Sequence, residues 1–292
     1  MSNLKEALKN GKFPVTSEIG PPKGTNVEHE IEAAVKIKDK VTAVNVTDLQ
    51  SAVMRVGSLA VCRLLKERGV EPVLQVTCRD RNRISLQSEL LSAAILGIEN
   101  VLCLTGDHIV LGDQKEARPV FDLDSVQLLK AVSDLNSGVD MEGHELDGTP
   151  DLFPGAVVTP EFEPLDLQLI KMKKKIDAGA QFFQTQAVYD TDKFKAFMDK
   201  VSQYNVPVMA GIVLLKSAGM AKFMNENVAG VFVPDNLIEE MKNTAKEDRK
   251  KKAVEIAARI IGEVKDCCQG IHIMPLGWND VVSNIVEQSE LG

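Results

Sequence analysis

The chain has 292 residues, 44% of them apolar, and a formal net charge of −8. That length suits one large domain with a substantial core, and the acidic balance argues against nucleic acid as the main partner because it implies no basic face. The first ten residues are charged and hold no apolar stretch of signal-peptide length, and no run approaches the ~20 apolar residues of a membrane span, so a cytoplasmic protein without membrane contact is expected.

Eight short apolar runs punctuate the sequence, at 13–18, 41–47, 73–77, 101–105, 155–159, 181–186, 206–213 and 270–275, most of them closing on a polar residue. They read as strands. Amphipathic stretches of helical period separate them. Residues 26–40 set Val27, Ile31, Ala34, Val35 and Ile37 at helical spacing with charges between. Residues 54–68 and 84–96 repeat the pattern and stop at Gly69 and Gly97, as C-capping glycines do. Further helices are expected at 121–135, 164–178, 191–203 (with Asp190 or Thr191 as N-cap), 217–227, 234–242, 245–266 and after Trp278. The segment 136–155, rich in Gly, Asp and Pro, reads as a long loop at the barrel mouth. Eight strand–helix units of about 30 residues predict an α/β fold, a (β/α)8 TIM barrel forming a single domain over residues 1–292. In that fold the strand C-termini gather at one mouth, where the chemistry belongs.

Glu18 is followed by Ile19-Gly20-Pro21-Pro22. Prolines cannot continue a ladder, so the strand stops there. A carboxyl group is left at the mouth beside an apolar residue and a rigid turn, which suits a general acid; a solvated strand-end carboxylate is the plain alternative. In Leu104-Thr105-Gly106-Asp107 the glycine allows close approach of a ligand and Asp107 projects into the mouth, although an Asx-type turn would read the same way. Gln186 closes the sixth strand with an amide that both donates and accepts, enough to read the edge of a heterocycle. Lys171, Lys173, Lys174 and Lys175 crowd one helix, either as an anion site or as a solvated face. The five cysteines, Cys62, Cys78, Cys103, Cys267 and Cys268, include no C-x-x-C pair and argue against a disulfide framework. Cys103 reads as core, and no metal site is expected, since Cys267 and Cys268 would need ligands from elsewhere.

Glu18 with Pro21-Pro22, Val44-Asn45-Val46-Thr47, Val76-Thr77-Cys78, Leu104-Thr105-Gly106-Asp107, Asp177-Ala178-Gly179-Ala180 and Thr185-Gln186 occur in this order along the chain. In that order they resemble the methylenetetrahydrofolate reductase family over about residues 10–290. The resemblance implies a flavin-dependent barrel that reduces 5,10-methylenetetrahydrofolate to 5-methyltetrahydrofolate. It implies that Glu18 protonates the N10 side of the folate to open the five-membered ring to an iminium. By the same likeness Asp107 lies near the flavin pyrimidine edge and the pterin, and Gln186 hydrogen-bonds the pterin. Leu276 is assigned to the substrate. Thr47, Gln75, Thr105, Gly106, Asp107 and Phe121 are assigned to the flavin, and Lys171, Lys174 and Lys175 to its phosphates.

The sequence also departs from the family pattern. Gln75 and Thr105 stand where many members carry histidine and arginine. Residues 214–220 lack the proline and aromatic residue that relatives use for folate and nicotinamide. FMN is therefore open in place of FAD. The chain also has no dinucleotide fingerprint or cluster-binding cysteine motif. An electron-donating partner subunit, with iron–sulfur centres, is accordingly expected alongside the folate substrate, and so is an oligomer. Two other readings compete: a flavin-free barrel lyase or aldolase with Lys216 as a rough Schiff-base candidate, and a non-catalytic subunit through which electrons enter a larger complex.

Overall fold

The computed structural model describes residues 1–291. A short helix, α1 (Asn3–Lys9), precedes β1 (Val15–Ile19), α2 (Glu28–Ile37), β2 (Ala43–Val46), α3 (Ser58–Glu67), β3 (Pro72–Thr77), α4 (Arg83–Ile95), β4 (Asn100–Leu104) and α5 (Ser125–Asn136). The second half continues with β5 (Phe153–Val158), α6 (Leu165–Asp177), β6 (Phe182–Ala187), α7 (Thr191–Val201) and β7 (Val208–Val213). Three helices follow β7, namely α8 (Ala218–Asn227), α9 (Asp235–Lys242) and α10 (Arg249–Val264), before β8 (Gly270–Met274) and α11 (Val282–Gln288). The strands pair in parallel in sequence order, and β8 closes on β1. This is the (β/α)8 barrel that the eight apolar runs predict.

Helix starts follow their capping chemistry. Asp124 accepts from the backbone of Val126 and Gln127 while the Gln127 side chain returns to the Asp124 N–H, so α5 begins at a capping box rather than at residue 121. Asp190 caps α7 by accepting from Lys193 N. Residues 54–57 do not join α3 as expected, but belong with 47–53 to the connection from β2. In that connection Leu49, Ser51 and Ala52 all have positive φ.

Two apolar shells build the barrel. Outward strand residues such as Val44, Val46, Val76 and Val101 meet the helices. Inward residues Ala43, Val73, Leu102, Phe153, Phe182 and Met209 fill the floor of the lumen, where Leu4 and Leu8 of α1 plug it from below. The charged N-terminus hid this helix from the sequence reading; its apolar positions, Leu4, Ala7 and Leu8, fall on one face. Lys5 carries its charge out to Asp151 at 2.6 Å.

The segment between α5 and β5 is not at the mouth, which corrects the sequence expectation. A connection from helix to strand begins and ends at the opposite rim. There Asn136 and Leu152 exchange hydrogen bonds of 2.8 and 2.9 Å. In between, a small hairpin with a bridge at Val139 and Glu145 packs against α4, Met141 N donating to Gln87 Oε1 at 2.9 Å.

Gly155 leaves room for the floor. A methyl group there would lie 2.2 Å from the Phe182 ring, which stacks on Phe153 at 5.0 Å between centroids. Gly155→Ala is therefore expected to lower stability by about 1–3 kcal/mol through overpacking. A denaturant titration checks this, and an unchanged midpoint would contradict it.

Candidate active site

Above the apolar floor the lumen turns polar. Thr16 on β1, Asn45 on β2, Gln184 on β6 and His272 on β8 are all buried. Asn45 and Gln184 exchange two hydrogen bonds, 2.7 and 3.2 Å. Gln184 Nε2 also donates to Thr16 Oγ1 at 3.2 Å, and Thr16 Oγ1 lies 2.9 Å from His272 Nδ1. His272 Nε2 faces Glu18 Oε2 at 3.7 Å. Strand alternation puts Thr16 and Glu18 on the same face of β1, so Glu18 stands one step nearer the mouth, 8% exposed.

The loops after β2, β3 and β4 are locked together on one side of the mouth. Arg79, its side chain 1% exposed, pairs with Asp80 and donates to the carbonyls of Leu49 and Asp107, each at 3.2 Å. Asp48 accepts from Thr77 N and Oγ1 at 2.8 and 2.9 Å and pairs with Arg81, which continues to Glu89 at 2.7 Å. Gly106 has φ +93°, and a methyl there would crowd Thr77 and Arg79 at 3.1 and 3.2 Å. Gly112 sits so close to the Ala52 carbonyl that a Cβ would fall 1.9 Å from its oxygen. Asp113 accepts from Met54 N at 3.1 Å and pairs with Lys23, whose hydrogen bond holds its carboxyl down at about 2.

The expected site residues divide by strand. Thr47 stands just past the end of β2 with its Oγ1 buried and without a partner. Gln75 is buried on β3. Thr105 Oγ1 accepts from Ser125 N at 3.2 Å, and exposed Asp107 accepts from Ser51 N at 3.0 Å. Phe121 has φ +42° and stacks on His108, 6.4 Å between centroids. Of the three lysines assigned to phosphates, Lys175 turns inward, its Nζ donating to Val157 O at 2.7 Å. Burial and the neighbouring Lys171 push its ammonium down to about 8. Lys171 shares that face one turn away. Lys174 is exposed on another face of α6, so the trio is not one cluster. Gln186 lies at an irregularity in the β6–β7 ladder, its Oε1 accepting from Ala187 N at 3.1 Å. Leu276, 40% exposed with φ +51°, stands beyond β8 beside Glu18's strand.

Lys216 is held by the Leu276 carbonyl and lies 4.7 Å from the Trp278 ring centroid, so its charge already has structural partners. Burial pushes the Cys78 thiol up to about 12 and Cys103 higher still, which leaves neither a nucleophile at neutral pH. Cys103 is core, as its strand position predicts.

Several residues of the site escaped the sequence reading. Arg79, in the alternating Arg79-Asp80-Arg81 string, could have been found as charge clustered just past a strand end. The lumen amides and His272 sit inside apolar runs and give a signal only once the strand alternation is fixed. Glu161, 9% exposed, follows β5 and meets Asp190 N at 3.4 Å. Burial pushes its carboxyl up to about 7.

The family model of methylenetetrahydrofolate reductase matches residues 3–290. The chain belongs to the methylenetetrahydrofolate reductase family. It is 24% identical to methylenetetrahydrofolate reductase 2 of Schizosaccharomyces pombe over 99% of its own length, and spans about half, 47%, of that protein. With the 5,10-methylenetetrahydrofolate reductase of Pectobacterium carotovorum subsp. carotovorum it shares 27% identity over 73% of this chain and 70% of the relative. Among solved structures, a Clostridium thermocellum protein described as binding two copies of 5-methyl-5,6,7,8-tetrahydrofolic acid superposes with a TM-score of 0.68 at 19% identity, covering 99% of both chains. At that identity the likeness is one of fold.

Proposed function

We propose that this chain reduces 5,10-methylenetetrahydrofolate to 5-methyltetrahydrofolate with a bound flavin, Glu18 being the proton donor. The observation that carries this reading is a buried carboxyl group at the barrel mouth, in a chain whose family is named for the reaction. Glu18 gives its proton to N10 as the bond from N10 to the methylene carbon breaks. The electron pair of that bond stays on N10, and the N5 lone pair forms the iminium. Asp107 and Gln186 bind the pterin, and Leu276 covers it.

The donor set at the mouth fits a flavin. Thr47 Oγ1 is buried and lacks a partner. Gly106, at φ +93°, packs its backbone against Thr77 and Arg79 and so fixes the loop after β4 at the mouth. Lys175 brings a desolvated ammonium to the end of β5. Thr47, Gln75, Thr105, Gly106, Asp107 and Phe121 would hold the ring system, and Lys171 and Lys175 a phosphate, with Lys174 further out. A bound reduced flavin supplies the hydride that the methylene carbon takes up. The protein contributes orientation, the proton and the exclusion of water.

The electrons are proposed to come from a separate subunit. Leu214 and Leu215 are buried and Lys216 is pinned to Leu276, so the loop after β7 presents no aromatic platform for nicotinamide.

Three measurements follow from this reading. Glu18→Gln should keep flavin and folate binding but lose about 10²-fold or more in turnover of methylenetetrahydrofolate; near-normal turnover would remove Glu18 as the acid. Lys175→Met should weaken flavin binding by roughly 10-fold, the worth of one charged hydrogen bond. Because Lys175 is cationic below about 8 and neutral above it, wild-type affinity should fall as pH rises through that value while the variant stays flat. A flavin titration at pH 6.5 and 9 that shows parallel behaviour would place Lys175 away from the phosphate. Finally, NADH mixed with the isolated flavin-loaded chain should bleach the flavin slowly; bleaching at the rate of turnover would exclude the donor subunit.

A further inference from the structure

We infer that His272 is a positioning residue that orients Glu18 by presenting an Nε2–H to its carboxyl group, in a tautomer fixed by the amide pair in the lumen. The inference rests on the reading of Glu18 as proton donor. His272 is 3% exposed on β8, beside β1 in the ladder. The tautomer follows from counting hydrogens. Asn45 Nδ2 donates to Gln184 Oε1 at 2.7 Å, which turns Gln184 Nε2 toward Asn45 Oδ1 and Thr16 Oγ1, both at 3.2 Å. Thr16 then receives one hydrogen and has one to give. His272 Nδ1 at 2.9 Å is a better acceptor for it than the Ile271 carbonyl at 3.5 Å. Nδ1 therefore accepts, and the ring hydrogen sits on Nε2, facing Glu18 Oε2.

The 3.7 Å separation is longer than a hydrogen bond. Such contacts commonly tighten when substrate is bound. With Oε2 turned to the imidazole, Oε1 is the oxygen left to carry the proton for N10. Once that proton is given up, the carboxylate accepts the Nε2–H hydrogen bond. His272 itself neither gains nor loses a proton.

Two substitutions separate orientation from packing. Asn in place of His272 keeps a partner for Thr16 but does not reach Glu18. Gln extends an amide N–H to the former position of Nε2. His272→Asn should lower kcat about 10-fold or more, with KM for the folate and Tm little changed, and His272→Gln should restore most of it. Because the residue acts through Glu18, the double variant Glu18→Gln/His272→Asn should be no slower than Glu18→Gln alone. Equal rates for the Asn and Gln variants, or a further loss in the Glu18→Gln background, would assign His272 to packing. Should the variants not fold, the unmodified chain decides. The other three histidines, His29, His108 and His144, are exposed, and a two-bond 1H–15N spectrum should show the buried ring with no proton on Nδ1. A proton on Nδ1 overturns the inference. Near-normal turnover by Glu18→Gln is a different result, which removes the proton-donor reading and leaves the tautomer standing.

Discussion

Asn45 and Gln184 stand on strands four apart and meet through the middle of the barrel, and the rest of the site is built on that contact. Two buried amides are tolerated in an apolar lumen because each satisfies the other, with bonds of 2.7 and 3.2 Å. Leaving one unpaired would cost about 1–3 kcal/mol. Below this rung the lumen is aliphatic and aromatic and is sealed by α1. Around and above it stand Thr16, Gln75, His272 and Glu18, all buried and polar. The rung thus divides the part of the barrel that supplies stability from the part that supplies chemistry, and through Thr16 it passes a hydrogen-bond direction to His272 and on toward Glu18.

The mouth itself is asymmetric. From β2 to β4 the loops are bound to one another by Arg79, by the Asp48–Thr77–Arg81 contacts and by backbone so close at Gly112 that no side chain fits. The loops after β2 and β4, which carry the positive-φ residues, are held in that arrangement because their Leu49 and Asp107 carbonyls accept the hydrogen bonds that the buried Arg79 does not give to Asp80. Rigid loops suit a planar ring system that must lie in one orientation. The side formed by β1 and β8 is more open, with Leu276 exposed and Glu18 set back within it. That side fits a substrate that enters and leaves.

Barrel topology was legible in the sequence because each of eight apolar runs is followed by at least one helical stretch, and few folds accept that order. The positions of Glu18, Thr47 and Asp107 at the strand ends were legible because each follows or closes a run at a residue that breaks the pattern: a proline pair, a polar threonine, a glycine. What escaped was whatever depends on the third dimension. Helix α1 has only three apolar residues on its face, too few to register as amphipathic without the lumen they fill. Residues 136–155 have the composition of a functional loop but leave a helix rather than a strand, which puts their ends at the other rim. Lys174 and Lys175 are neighbours in sequence and diverge on the helix, so their crowding overstated the cluster. His272 lies in an apolar run where a histidine reads as core, and only the partners across the lumen give its ring a direction.

The central claim is that this one barrel, with Glu18 at its mouth, carries out the reduction of methylenetetrahydrofolate. Anaerobic mixing of the dithionite-reduced, flavin-loaded chain with 5,10-methylenetetrahydrofolate tests it without any partner or physiological donor. The account predicts that the flavin is reoxidised while one 5-methyltetrahydrofolate appears per flavin. A flavin that stays reduced, with the folate recovered unchanged, would contradict it.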